Sequence, residues 1–127
     1  MAAGAHERAE AFEPDVGNVA AARRFLRTSL ESFAVPEPPS EDAFLLGNEL
    51  VTNAVQHART RLEVCVSANA VRVRIEVRDS HPAPARPRSA GTAEPSGRGL
   101  AMIDLVAERW GVDETATGKA VWAELLV

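Results

Sequence analysis

EDAFLLGNELVTNAVQH, residues 41 to 57, is the stretch on which the reading of this chain turns. Pro39 and Ser40 precede it; Ser40 is a good N-cap, and Glu41 and Asp42 stand in the first turn, where the helix dipole favours negative charge. At about 100° per residue, Phe44, Gly47, Val51, Ala54, Val55 and Ala58 fall on one broad apolar arc. Glu49, Asn53 and His57, spaced i, i+4, i+8, form a row along a different side, with Leu46 and Leu50 running along its edge. A carboxylate, an amide and an imidazole beside apolar residues have two readings. One is a half-buried site; the other is a solvated polar face with apolar neighbours. The helix alone does not decide between them.

On the N-terminal side, Val19, Ala22, Phe25, Leu26, Leu30 and Phe33 recur at helical spacing and predict a first helix over Val16 to Ala34, with Arg23, Arg24, Arg27 and Glu31 on its other side. The segment VPEPPS, 35 to 40, is a proline-stiffened link. Glu10 to Glu13 is read as a short edge strand ended by Pro14 and Asp15, and residues 1 to 8 as mobile.

On the C-terminal side the period changes from helical to alternating. Leu62, Val64, Val66 and Ala68 alternate with Arg61, Glu63, Cys65 and Ser67; Asn69 and Ala70 make a tight turn; Val71, Val73, Ile75 and Val77 alternate with Arg72, Arg74, Glu76 and Arg78. This predicts an antiparallel hairpin with one buried and one wet face. Cys65 has wet-face parity and reads as an incidental thiol. Asp79 continues the inward series 71, 73, 75, 77, so its carboxylate needs a partner, from the protein or from a ligand.

Residues 80 to 97, SHPAPARPRSAGTAEPSG, hold four prolines and two glycines, which excludes regular structure and makes the segment a candidate lid. Its end, SGRGL, opens a helix over Leu100 to Glu108 with Met102, Ile103 and Val106 as the apolar face. Gly97 and Gly99 around Arg98 form a glycine-rich entry that can present N–H groups to an anion, or an ordinary glycine turn. Arg109 to Asp113 and Lys119 to Val127 predict a closing hairpin around TATG. Trp110, Val112, Val121, Ala123 and Leu125 then face the core, and Trp122 takes the opposite parity.

A chain of 127 residues with 46% hydrophobic residues suits one domain around one core. The net charge of -4, with acidic and basic residues intermixed, argues against a nucleic-acid binder, which needs a basic face. A single cysteine rules out an internal disulfide. No apolar run is long enough to span a membrane, and MAAGAHERAEAFEP lacks the apolar stretch of a signal peptide, so a cytoplasmic protein is expected. The richness in Ala, Arg, Val and Pro fits a GC-rich bacterial genome.

ELVTNAVQHA (49 to 58) closely resembles the N-box of the Bergerat-fold (GHKL) ATPases, the superfamily of gyrase B, Hsp90, histidine kinases and MutL. Its E-x-x-x-N-A-x-x-H form is similar to that of the bacterial anti-sigma-factor serine/threonine kinases. EVRDS (76 to 80) resembles the start of the next motif, GRGLAMIDLVAERWGV (97 to 112) the second glycine box, and the likeness runs on through GKAVWAELLV, covering nearly the whole chain. The resemblance implies an α/β two-layer sandwich with helices on one face of a mainly antiparallel sheet, forming one ATP-binding domain over 1 to 127. It implies ATP and Mg²⁺ as ligands: Asn53 as metal ligand, Glu49 as general base, Asp79 as acceptor for the adenine amino group, and Gly97, Arg98, Gly99 and Leu100 around the phosphates. His57 lines the site or serves as a structural histidine. The implied partners are an anti-anti-sigma (STAS-like) protein whose serine is phosphorylated, a sigma factor that is sequestered, or both, and the resemblance is compatible with a homodimer. A sensor histidine kinase is disfavoured, since no helix with a phosphoacceptor histidine precedes the first helix.

Two departures stand out. The family's D-x-G-x-G here reads Asp79-Ser80-His81-Pro82-Ala83, without either glycine, and glycines there let the backbone approach the nucleotide closely. The position matching a family threonine in the closing strand reads as Ala120. Both leave room for a second function, a protein-binding module of the same fold with weak or lost nucleotide binding.

Overall fold

The computed structural model describes residues 5–57, 60–80 and 97–127, with the side chains of 97–100 excepted; of the candidate lid at 80 to 97, residues 81–96 lie outside the described residues. The elements are β1 (His6–Phe12), α1 (Val16–Ser32), α2 (Pro39–His57), β2 (Leu62–Ala68), β3 (Arg72–Asp79), α3 (Gly97–Val106), β4 (Arg109–Glu114) and β5 (Lys119–Leu126). The strands form one sheet in the order β1-β2-β3-β5-β4, every pairing antiparallel. The helices cover one face, giving the expected two layers. The alternating valines and Ile75 of β2 and β3, with Ala123 and Leu125 of β5, meet Leu26, Leu30, Leu46, Leu50, Val51 and Ile103 from the three helices.

Asp15 caps α1 by accepting from the N–H groups of Gly17 (2.7 Å) and Asn18 (3.3 Å). The helix ends at Ser32, two residues before the expected Ala34. Ala34 adopts a left-handed φ of 56°, the Val35 N–H reaches back to the Leu30 carbonyl (3.1 Å) and the Ala34 N–H to that of Glu31 (3.0 Å). This is a Schellman ending with alanine where glycine is usual, so no glycine marks the stop in the sequence.

α2 starts at Pro39, so Ser40 lies inside the first turn and is buried rather than capping it. Glu37 caps instead, its carboxylate accepting the Glu41 N–H at 3.1 Å, while Pro39 takes the first helical position that suits proline. The buried arc is Ser40, Ala43, Leu46, Gly47, Leu50 and Val51, rotated by roughly 50° from the expected one. Leu46 and Leu50 are core residues, not the margin of the polar row. A Cβ on Gly47 would stand 2.8 and 2.9 Å from the Leu26 methyls and 3.4 Å from Ile75 Cγ2, so glycine is what lets α2 sit down between α1 and β3.

β1 begins at His6, four residues before the expected strand, and pairs with β2 along its whole length, so His6 to Arg8 are ladder residues rather than a mobile tail. The sequence hid this because β1 turns polar residues toward the helices: His6 stacks on Phe33 (5.2 Å) and the Arg8 guanidinium lies over Phe25 (5.4 Å). Val71 sits in the hairpin turn and is exposed, where the Asn69 side chain accepts the N–H groups of both Val71 and Arg72 at 2.8 Å. In the closing hairpin, Val112 is also exposed, although its partner Val121 packs on the core.

Among the described residues, the other face of the sheet carries no helix. Arg74 bridges Glu76 (2.9 Å) and Glu124 (2.7 Å), Arg109 also reaches Glu124 (2.7 Å), Arg78 joins Glu76 to Glu63, and Arg72 pairs with Glu108 (2.8 Å). The Arg74 guanidinium lies 4.4 Å over the Trp122 ring. Cys65 has the expected outward parity but is buried, between Ala9 and Glu76 in the ladders, and burial pushes its thiol up to about 11.

Candidate functional site

The two flanks of α2 differ. On one flank Asn48 accepts from the Arg23 guanidinium of α1, and Thr52 and Val55 line a groove with Val19 and Arg23. Glu49, Asn53 and His57 project from the opposite flank, by the 100° rule, and the remaining helix packed on α2 is α3. Glu49 and Asn53 are half-buried, and among the described residues neither has a hydrogen bond or ion pair. His57 is the exposed last residue of the helix.

Asp79 belongs to the same end of the domain. Gly47 sits over Ile75; from there β3 runs four residues, about 13 Å, to Asp79, and α2 runs ten residues, about 15 Å, to His57. Two links show that these runs go the same way. The Ser80 N–H donates to the Thr60 hydroxyl just after α2 (3.0 Å), and Leu62 is the ladder partner of Asp79. Asp79 has the inward parity read from the sequence and is only 6% exposed. At the opposite end, the Glu108 N–H donates to the Glu124 carbonyl (2.7 Å), fixing the chain just after α3 beside the Arg72 end of the sheet. The first turn of α3, Gly97 to Leu100, is therefore the far end of that helix, about 15 Å away. Both glycines lie within this turn rather than in a loop leading to it.

The carboxylates of the open face are in a different state. Burial pushes Glu76 and Glu124 up, but hydrogen bonds from Arg74, with Arg78 on Glu76 and Arg109 on Glu124, outweigh it and hold both below the usual range. A cavity of about 680 Å³ opens on that face at its Asp79 end, lined among others by Glu63, Glu76, Arg78, Asp113, Thr115 and Ala120. Asp79 and Ser80 are also part of its lining, though the parity of Asp79 turns its side chain to the other face, and Glu49, Asn53 and His57 are not part of it. Ala120 pairs with Arg78 and also faces this side. A hydroxyl missing at 120 is thus not missing from the helix-covered side, where the neighbouring positions are Lys119 and Val121.

Sequence reading missed two residues at the strand end: Thr60, which accepts the Ser80 N–H, and Gly118, which lies against the Asp79 carbonyl. Thr60 carries no signal in sequence; Gly118 looked like an ordinary turn glycine.

A family model, the histidine kinase-like ATPase domain, matches residues 12–125, from the end of β1 almost to the end of β5. The chain belongs to the histidine kinase-like ATPase domain family. Among curated proteins it is similar to the uncharacterized protein SCO4941 of Streptomyces coelicolor, 37% identical over 82 residues that cover 60% of this chain and 77% of the relative. Among solved structures it resembles the crystal structure of the RsbU and RsbW domains of Rv1364c from Mycobacterium tuberculosis, with a TM-score of 0.70 and 19% identity. That likeness covers 95% of this chain and 32% of the other, so this chain spans about a third of that protein, and at this identity the fold is what the two share. A histidine kinase-like ATPase domain implies a nucleotide ligand. The donor set fits one: Asn53 offers a hard amide oxygen with no protein partner among the described residues, which suits a divalent cation that keeps most of its waters.

Proposed function

We propose that this chain is a single Mg-ATP-binding domain of the anti-sigma-factor serine/threonine kinase type, with residues 80 to 97 as its lid. It phosphorylates a serine on an anti-anti-sigma (STAS-like) partner, sequesters a sigma factor, or does both. The observation that supports the reading is the pair Glu49 and Asn53, half-buried and without partners among the described residues, on a helix whose last residue, His57, lies toward the same end of the domain as buried Asp79. Asn53 offers its amide oxygen to Mg²⁺. Asp79 accepts a hydrogen bond from the adenine amino group, and the N–H groups of Gly97 to Leu100 face the phosphates, with the Arg98 charge added to theirs. His57 borders the site at the end of α2. Glu49 takes the proton of the partner's serine hydroxyl as that oxygen bonds to the γ-phosphorus and the bond to the β-phosphate oxygen breaks. Mg²⁺ held by Asn53 would supply positive charge that offsets that of the phosphates.

A second reading, a protein-binding module with weak or lost nucleotide binding, is favoured by His81 and Ala83 standing where the family motif has glycines. Calorimetry separates the two. The kinase reading expects ATP binding that strengthens with Mg²⁺, and transfer of labelled γ-phosphate to a STAS-like protein. Absence of heat and of thermal shift at millimolar ATP sinks nucleotide binding, since a ligand specific to the folded state must stabilise it. ATP binding without transfer leaves the binding module.

A further inference from the structure

Asp79 is the last residue of β3 and the last rung of two ladders at once, opposite Leu62 on one side and Lys119 on the other. A strand end in that position frays unless something holds it. Two contacts do. The Ser80 N–H, one residue past the ladder, donates to the Thr60 hydroxyl at 3.0 Å. On the other side, the glycine of the closing turn lies directly on the strand end: a Cβ on Gly118 would stand 2.1 Å from the Asp79 carbonyl oxygen, 2.8 Å from its carbon and 2.9 Å from Ser80 Cα. These are backbone atoms, so no side-chain rotation makes room. Gly118 is in turn fixed by its own carbonyl, which accepts the Thr115 N–H at 2.8 Å.

We infer that Thr60 and Gly118 are positioning residues for Asp79, clamping the Asp79-Ser80 backbone from two sides and so setting where the carboxylate stands. The inference rests on the reading of Asp79 as the acceptor for an adenine amino group. A single acceptor distinguishes an amino group from an oxo group only while its geometry holds, because hydrogen bonds weaken steeply with misalignment. The clamp therefore acts on base selectivity, beyond any effect on stability.

The test compares affinities for ATP and for ITP, whose base carries an oxo group in place of the amino group, by calorimetry on the full chain with Mg²⁺. Wild type prefers ATP. Thr60→Val keeps the shape but removes the acceptor, and lowers the ATP-over-ITP preference by about tenfold; Thr60→Ser keeps the acceptor and restores it. Gly118→Ala lowers the preference in the same way if it folds, and Thr60→Val suffices if it does not. In nucleotide-free protein, amide exchange at Ser80 speeds up in Thr60→Val and not in Thr60→Ser. Variants that melt earlier but keep the wild-type preference overturn the clamp and leave the nucleotide reading standing. Wild type that binds neither nucleotide overturns the nucleotide reading itself.

Discussion

The open face of the sheet and the flank of α2 carry the same kind of chemistry in opposite states. On the open face Glu76, Glu124, Glu63 and Glu108 each meet at least one arginine, and the four are tied together through Arg72, Arg74, Arg78 and Arg109. On the α2 flank Glu49 is half-buried and meets none among the described residues. A carboxylate wrapped in guanidinium groups is saturated; it can hold strands together but has no lone pair to spare. A half-buried carboxylate left open is costly to keep unless something arrives to use it. Charge density points to the open face, and so does the cavity there; the state of satisfaction points to the α2 flank.

Substitutions can break or sharpen this contrast. The largest effect is expected from Glu49→Gln, which keeps the side chain's size but removes the base. Phosphoryl transfer to a STAS-like partner falls by roughly 10²–10⁴ while ATP affinity stays within a few fold. If that variant unfolds instead, Glu49 is as structural as the open-face glutamates. Next is Gly47→Val, which drives carbon into Leu26 and Ile75 and costs about 1–3 kcal/mol by denaturant unfolding, with no direct reach to the flank. Glu124→Ala removes the carboxylate that Arg109 meets and leaves Arg74 with Glu76; because both arginines are partly in water, about 1 kcal/mol of stability is lost, less in high salt. The wild-type pH dependence has a fixed sign. Glu76 and Glu124 are held below the ordinary range, so their contribution is present above that range and is lost as pH falls through it, and the acid limb of a melting profile flattens in the double Gln variant. The smallest effect is Asn53→Ala, within about 0.5 kcal/mol of wild type in stability, since no protein partner is lost, yet without the extra ATP affinity that Mg²⁺ confers.

Much of this was legible. The helix over 41–57, the alternating strands and the inward parity of Asp79 rest on periods of 3.6 and 2, which burial enforces directly. The outward Trp122 was readable for the same reason. What escaped were cases where one residue type does another's work. Ala34 holds a glycine's conformation, Glu37 caps in place of Ser40, and His6 and Arg8 face inward on aromatic rings in place of aliphatic side chains. The buried arc of α2 was misjudged because a helix between a sheet and a neighbouring helix has two apolar contacts, and a single vector averages them. Gly118 could not be singled out because its reason is a backbone 39 residues away in sequence.

β1 also shields its neighbour. Its charged residues occupy the outer edge of the sheet, and beneath them lies LEVCVSA, a seven-residue strand whose sole charge is Glu63. A chain trimmed to begin at Glu13 would keep all three helices but bare the backbone of that strand along its full length. Such a segment, β-prone and nearly uncharged, is a template for adding identical strands from other molecules. The short N-terminal strand thus guards the protein against self-association into fibrils, and shortened versions are expected to precipitate before they lose any ligand.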